Sequence, residues 1–143
     1  MDMQFEITSL KLFSPLYYSS DGATDPFSYS EGDGEKLFCF ELEETAAGTF
    51  QPDRATFPGS LLFCGKAADS SAAGGNAGDS ELPAGNYLFA QKREVLSRES
   101  IITMAMEIQQ EGLWQRQPLG RKLYLRYLFE DGCPVTQLFR SCN

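Results

Sequence analysis

The side chains in this 143-residue chain that could do chemistry are carboxylates, aromatic rings, amides and guanidinium groups, because the sequence contains no histidine. Without histidine, Ser-His and Cys-His nucleophile pairs are excluded, and so is the commonest metal ligand. The four cysteines, none in a C-x-x-C pair, are Cys39, Cys64, Cys133 and Cys142. This spacing predicts neither a zinc site nor a metal cofactor. The remaining chemistry is stacking, hydrogen bonding and charge.

An Asp131-Gly132 pair lies between two alternating segments, and Asp-Gly is a preferred centre for a two-residue β-hairpin loop. Such a loop fixes the register, so Arg126 is expected opposite Gln137. Two residues further along the same face, Tyr124 is expected opposite Phe139. A cation and an amide beside two rings would suit a planar ligand with polar edges. An ordinary sheet face with cross-strand pairs is the competing interpretation.

A second set of candidates comes from a predicted strand at 36–43 and from the end of a predicted helix. Glu41 and Glu43 share one strand face, and the opposite face, with Phe38 and Phe40, is expected to enter the core. Trp114 would wall a cleft beside the hairpin, or else cover the core. An Arg126–Glu41 ion pair that only holds two strands together is the structural alternative. The candidate ligand-binding residues are Glu41, Glu43, Trp114, Tyr124, Arg126, Gln137 and Phe139; no catalytic residue is predicted.

A helix within 94–111 and six strands must position these residues. Four apolar residues at spacings of three and four predict one buried helix face: Ile101, Met104, Ala105 and Ile108. Ser97 is expected as the N-cap and Gly112 as the glycine that ends the helix. Alternating or continuous apolar segments predict strands at 4–13, 36–43, 60–65, 87–91, 121–130 and 133–142. The fold class is therefore α+β, with a mostly antiparallel sheet, one main helix and a C-terminal β-α-β-β unit.

The length and composition predict a single domain spanning 1–143, with 42% hydrophobic residues. A β-rich half is expected at 1–65 and the β-α-β-β half at 82–143. Between them, 66–81 is rich in Gly, Ala, Ser and Asp, which predicts a flexible loop or linker.

Charge and hydropathy limit the classes of partner. A net charge of −8 disfavours nucleic-acid binding, which needs clustered Lys and Arg. No apolar segment approaches the roughly 20 residues of a membrane span. The first residues, MDMQFEIT, carry no basic leader, so a cytoplasmic protein is expected. There the cysteines would be small buried hydrophobic residues.

The stretch LPAGNYLFAQ at 82–91, followed by a helix, a tryptophan and an aromatic hairpin, resembles the second half of the gyrase-inhibitor-like family of effector-binding domains. Pro83, Ala84, Gly85 and Tyr87 match that family's P-A-G-x-Y entry, and the similarity covers 82–142. The resemblance implies two pseudo-symmetric β-α-β-β repeats. It also implies a cleft that binds hydrophobic, often aromatic or cationic, small molecules. Arg126 departs from this pattern, because a carboxylate there would suit a cationic ligand better.

Three functions compete at this stage. The resemblance and the hairpin face favour a non-catalytic module that binds an aromatic or planar small molecule. The alternative is a protein–protein adaptor or inhibitor that presents acidic loops to a basic partner. An enzyme is least favoured, because it would need Glu41 or Glu43 as a general base with Tyr124 or Tyr127 as an acid.

Overall fold

The computed structural model describes residues 6–20, 35–41, 60–67, 80–116 and 119–142. Within these ranges the chain forms a mostly antiparallel sheet and a helix, which confirms the α+β class. In chain order the elements are β1 Thr8–Leu12, β2 Leu16–Ser20, β3 Lys36–Glu41, β4 Ser60–Ala67, β5 Ser80–Leu82, β6 Gly85–Lys92, α1 Arg98–Trp114, β7 Leu119–Glu130 and β8 Cys133–Cys142. The sequence did not predict β2 or β5.

The sheet closes on itself. Its strand order is β1-β6-β8-β7-β3-β4-β2-β5, and all the pairs are antiparallel. Only 13–15 separate β1 from β2, and only 83–84 separate β5 from β6. Leu12 pairs with Gly85 and Leu16 with Leu82, so β1–β2 and β5–β6 form one bent ladder. Because β2 also pairs with β4, the two ends of the strand order meet, and the sheet has an inner and an outer face.

The outer face is the one that α1 covers. Its buried cluster joins the helix to Phe38, Leu88, Leu125, Tyr127 and Leu138 of the sheet. The hairpin face that carries Leu125 and Tyr127 therefore packs on the helix, as the alternation predicts. Every residue of the predicted apolar helix stripe is buried: Ile101, Met104, Ala105 and Ile108.

The inner face is also buried, although the sequence assigned the core to the Phe38 and Phe40 side of β3 alone. Leu37 and Cys39, on the other side of β3, are 0% and 1% exposed. They belong to a second apolar cluster, which consists of Tyr18, Leu37, Cys39, Leu82, Tyr87, Tyr124 and Phe139. Closure of the sheet brings these side chains together, so β3 is buried on both faces.

The helix begins where the sequence predicts and ends later. The Ser97 side chain accepts a hydrogen bond from the Ser100 N–H at 3.2 Å, as an N-cap does. Gly112 does not end the helix, which continues to Trp114 and is capped at Gln115. A Cβ on Gly112 would lie 2.7 Å from Leu119 Cδ1, so this glycine serves close packing instead. Thus the predicted stop at Gly112 is wrong.

The predicted hairpin is confirmed. Asp131 and Gly132 have φ angles of 54° and 79°, as a two-residue primed turn requires. The register pairs Glu130 with Cys133, Arg126 with Gln137 and Tyr124 with Phe139. This local turn therefore fixes which side chains of β7 and β8 share the inner face.

The predicted linker at 66–81 begins and ends in strands. Lys66 and Ala67 belong to β4, and Ser80 and Glu81 belong to β5. The remaining part of that segment, 68–79, lies outside the described residues. In the N-terminal half the described residues form β1 to β4, and in the C-terminal half β6, α1, β7 and β8 follow in the predicted order.

Candidate functional site

A polar cluster surrounds Arg126 on the inner face of β7. The guanidinium donates from Nη2 to Glu35 Oε2 at 3.0 Å, and from Nε to the Tyr18 hydroxyl at 2.8 Å. The same hydroxyl donates to Glu35 Oε2 at 2.7 Å. The third contact runs from Arg126 Nη1 to Gln137 Oε1 at 3.0 Å. Acceptors from β2, β8 and residue 35 therefore bind all three guanidinium nitrogens, Nε, Nη1 and Nη2.

Electrostatics fix the protonation states in this cluster. Burial opposes the charge of Arg126, but Tyr18 and Glu35 outweigh burial and raise its pKa above the ordinary value. Burial, with Glu35 adding to it, raises the pKa of Tyr18 well above the ordinary value of a phenol. At neutral pH Arg126 is therefore a cation and Tyr18 keeps its proton. Each partner of the Arg126–Glu35 ion pair retains some solvent contact, with side chains 17% and 31% exposed.

The polar cluster continues outward as a row across three strands, which we call the polar row: Arg126, Gln137 and Gln91. Gln137 Nε2 donates to Gln91 Oε1 at 3.0 Å. The sheet register places these three side by side, since Gln137 pairs with Arg126 on one side and with Gln91 on the other. Gln137 is 8% exposed and Gln91 lies at the surface, so the row leads from a partly buried cation to an accessible amide.

An aromatic row runs parallel to the polar row, two residues away along each strand: Phe89, Phe139 and Tyr124. The rings of Phe89 and Phe139 are 4.9 Å apart between centroids and tilted by 46°. Tyr87 makes edge contacts with Phe139 at 5.8 Å and with Tyr124 at 6.0 Å. Phe139 and Tyr124 are only 2% and 4% exposed. The half-buried Phe89 is therefore the ring through which this row reaches the surface.

A pocket of about 470 Å³ lies where the two rows reach the surface. Its lining consists of Glu6, Thr8, Phe89, Gln91, Lys92 and Arg93. Phe89 ends the aromatic row and Gln91 ends the polar row, so one open surface pocket combines an apolar wall with a hydrogen-bonded amide. A smaller pocket of about 230 Å³ lies along β1 and β6 and includes Tyr87 and Cys142.

The structure brings four of the seven predicted site residues together. Tyr124, Arg126, Gln137 and Phe139 are neighbours on the inner face, in the predicted register. They are not the walls of an open cleft, however, because they are largely buried and the accessible pocket begins one strand further, on β6.

The other three predicted residues do not join them. Glu41 lies opposite Lys122 in the register of β3 with β7. The carboxylate that binds Arg126 is Glu35. The alternative prediction of an Arg126–Glu41 ion pair is therefore wrong, because Arg126 pairs with Glu35. Trp114 is 82% exposed on a helix that packs against the outer face, so it walls no inner-face cleft and covers no core. Glu43 lies outside the described residues.

Sequence reasoning missed Tyr18 and Glu35 of the polar cluster, and it missed the whole pocket lining, including Phe89 and Gln91. Phe89 and Gln91 could have been predicted from the sequence, since they follow Tyr87 at every second position of the predicted strand at 87–91 and therefore share its face. Tyr18 and Glu35 could not have been, because they lie in a segment whose composition indicated a loop.

Cysteine and metal chemistry add little to this site. All four cysteines lie in the described part of the chain, and none forms a disulfide. Burial raises the pKa of the Cys39 thiol to about 11, so Cys39 is neutral at physiological pH. Among the described residues, no group of His, Cys, Asp and Glu side chains could hold a metal ion. No helix in these ranges is long and apolar enough to cross a bilayer.

The residues that carry the family resemblance have a local structural role. The Tyr87 hydroxyl donates to the Pro83 carbonyl, and Gly85 has a φ of 147°, which disfavours residues with a Cβ. Together they join β5 to β6 and aim Tyr87 at the inner face. In comparisons with known proteins, the sequence matches no family model and no curated protein.

Proposed function

We propose that the protein is a non-catalytic module of the effector-binding type, which binds a planar aromatic small molecule. The ligand would lie in the pocket formed by Phe89, Gln91 and their neighbours. One observation carries the proposal: the pocket receives the ends of both the aromatic and the polar rows. Small-molecule sites commonly combine apolar walls with a few precisely placed polar groups.

The aromatic wall supports a flat ligand. Phe89 is held against Phe139, and Phe139 is held in turn by Tyr87. A ring fixed in this way offers one face to the pocket without losing further freedom when a ligand stacks on it. Aromatic pairs of this kind contribute about 0.5–1.5 kcal/mol beyond the area that they bury.

The polar wall supports a ligand with a hydrogen-bonding edge. Gln91 is held by Gln137, which is held by Arg126, so its amide is oriented before any ligand arrives. Preorganisation lowers the entropy lost on binding and so favours affinity. The resemblance over 82–142 implies the same class of function, because the cleft of that family binds hydrophobic, often aromatic or cationic, small molecules.

A binding experiment with a matched control tests this proposal. The probes are 2-naphthamide, which is neutral, and its charged analogues, titrated into the protein and followed by chemical-shift changes and thermal shift. Phe89→Ala should weaken binding about tenfold, the loss expected for ~1.4 kcal/mol. Phe129→Ala removes the same ring from a site beside the hairpin turn, 37% exposed, and should leave binding unchanged. If no naphthyl probe binds the wild-type protein at millimolar concentration, the proposed function is wrong.

The second candidate, a protein–protein adaptor, is favoured by a different region. Leu113 and Trp114 are 63% and 82% exposed at the end of α1, and neither lines the pocket. Exposed apolar groups that adjoin each other are a feature of protein interfaces. The acidic loops first assigned this role lie largely in 21–34 and 42–59, outside the described residues. A partner whose binding is lost in Trp114→Ser but kept in Phe89→Ala would favour this alternative.

A further inference from the structure

The polar row has a direction, which the chemistry of arginine imposes. A guanidinium has only donors, so the Gln137 amide must turn its oxygen towards Arg126. The observed contact, Arg126 Nη1 to Gln137 Oε1 at 3.0 Å, has this arrangement. The nitrogen of Gln137 therefore points the other way, where it donates to Gln91 Oε1 at 3.0 Å.

This direction decides what Gln91 presents to the pocket. Its oxygen accepts from Gln137, so its amide nitrogen, with two N–H donors, is the end turned away from Gln137, and Gln91 itself lines the pocket. The partly buried Arg126 on β7 thus determines which end of the exposed Gln91 amide, two strands away on β6, is turned outwards. Had a carboxylate stood in place of Arg126, the amides of Gln137 and Gln91 would both turn over, and the pocket would receive an oxygen.

The charges that line the pocket agree with this polarity. Lys92 and Arg93 contribute two cations, and Glu6 contributes one carboxylate. Beside the ring of Phe89, the lining therefore offers the Gln91 N–H donors, the Thr8 hydroxyl and a net positive charge. A cationic ligand would meet donors and like charges here, whereas a carboxylate would meet charge-assisted donors.

We infer that the pocket selects planar aromatic ligands with an anionic or acceptor edge, aromatic carboxylates above all, and that Arg126 determines this selectivity through Gln137 and Gln91. The inference rests on the proposed function and specifies its ligand class. Aromatic cations, the ligands that the family resemblance suggests, are therefore the disfavoured class at this pocket. In this arrangement Phe89 stacks on the ring, Gln91 donates to the carboxylate, and Lys92 and Arg93 balance its charge.

Three probes of one shape test the ligand class: 2-naphthoate, 2-naphthamide and 2-naphthamidine, which are anionic, neutral and cationic. At fixed, low ionic strength, wild-type protein should bind the naphthoate at least tenfold more tightly than the naphthamidine. Tighter binding of the naphthamidine would overturn the inference and leave the proposed function standing. Binding of none of the three would remove the proposed function and the inference with it.

A near-isosteric variant tests the role of the polar row. In Gln137→Glu the carboxylate still accepts from Arg126, but it can no longer donate to Gln91, so the Gln91 amide should turn its oxygen to the pocket. The preference for naphthoate over naphthamidine should then fall about tenfold. Gln110→Glu adds the same charge at an exposed position of α1 and is the matched control, with an unchanged preference.

Two outcomes would refute the role of the polar row. One is a folded Gln137→Glu protein, shown by an unchanged fold in the NMR spectrum, that keeps the wild-type preference. The other applies if Gln137→Glu does not fold. Gln91→Glu then places a carboxylate directly in the pocket, and it must reverse the preference towards naphthamidine. A Gln91→Glu protein that still prefers naphthoate would show that Gln91 does not contact the ligand edge.

Discussion

The inner and outer faces of the closed sheet are built from the same strands but are buried in different ways. The outer face is mostly apolar and is sealed by α1, with Ile108 and Met104 at 0% exposure. Its buried polar residues, Thr136 and Arg140, each donate to a backbone carbonyl. The inner face is sealed by the curvature of the sheet and includes a cation, two amides and a phenol that bind one another. Polar groups in a core add less stability than apolar packing of equal volume. The difference teaches that the outer face holds the fold together, whereas the inner face is specialised to present defined polar groups at a pocket.

The largest effect is expected on the outer face, from Ile108→Ala. Ile108 is fully buried between helix and sheet, so truncation leaves a cavity and should lower the free energy of unfolding by about 2–5 kcal/mol. Urea unfolding followed by circular dichroism measures this loss. Probe affinity of the remaining folded protein should match that of the wild type. A cost below 1 kcal/mol, or altered probe selectivity, would contradict this division between the faces.

On the inner face, Arg126→Met should cost less stability but change the pocket more. The variant removes the donor to Gln137 Oε1 and the counter-charge of Glu35, which keeps only its contact with the Tyr18 hydroxyl, and losses of this kind cost about 1–3 kcal/mol. It also releases the orientation of Gln91, so selectivity for naphthoate should fall. Adding Glu35→Gln to Arg126→Met should recover part of the stability, because no charge is then left unpaired. Simple additivity of the two losses would show that the pair is uncoupled.

The contrast between the faces also explains what the sequence could predict. The hairpin and its register follow from Asp131-Gly132 and from alternation, which are local signals, and the register of Arg126, Gln137, Tyr124 and Phe139 came with them. The apolar stripe of α1 and the Ser97 cap are equally local. Each of these predictions needs only a few neighbouring residues, and each is confirmed.

The errors concern contacts between residues far apart in the chain. The Arg126–Glu35 pair joins positions 91 residues apart, and the Arg126–Tyr18 contact joins positions 108 apart. No local pattern near residue 35 or 18 marks either residue as a partner. The prediction that the helix ends at Gly112 was wrong for a similar reason. Gly112 allows close contact with Leu119 and is not part of a capping motif. Closure of the sheet, which creates the inner face, also depends on strand pairs between residues far apart in the chain.

Raising the pH should weaken the inner face through Cys39. The pKa of Cys39 rises from 9.0 to about 11 because burial disfavours the thiolate. A group whose pKa is raised by folding stabilises the fold fully below its unfolded pKa and loses that effect as the pH climbs through the folded value. Between about pH 9 and pH 11 the free energy of unfolding should fall by about 1–2 kcal/mol through this group, at up to ~1.4 kcal/mol per unit.

Cysteine variants isolate this contribution. Cys39→Ala should lose part of the pH dependence, whereas Cys133→Ala, which alters an exposed thiol beside the hairpin turn, should keep all of it. Tyr18 adds a similar loss at higher pH, since burial raises its pKa as well. Equal pH dependence in Cys39→Ala and Cys133→Ala would show that the inner face is open to solvent at Cys39.

The smallest effect is expected at Trp114, which belongs to neither face. It is the sole tryptophan of the sequence, it is 82% exposed, and it does not line the pocket. Trp114→Ala should therefore change the free energy of unfolding by no more than about 0.5 kcal/mol, as exposed substitutions usually do. In the wild type, tryptophan emission should resemble that of a solvated indole and should stay constant when naphthamide fills the pocket. A blue shift on naphthamide binding would mean that the pocket and the end of α1 communicate, and the separation between the inner face and the helix surface would no longer hold.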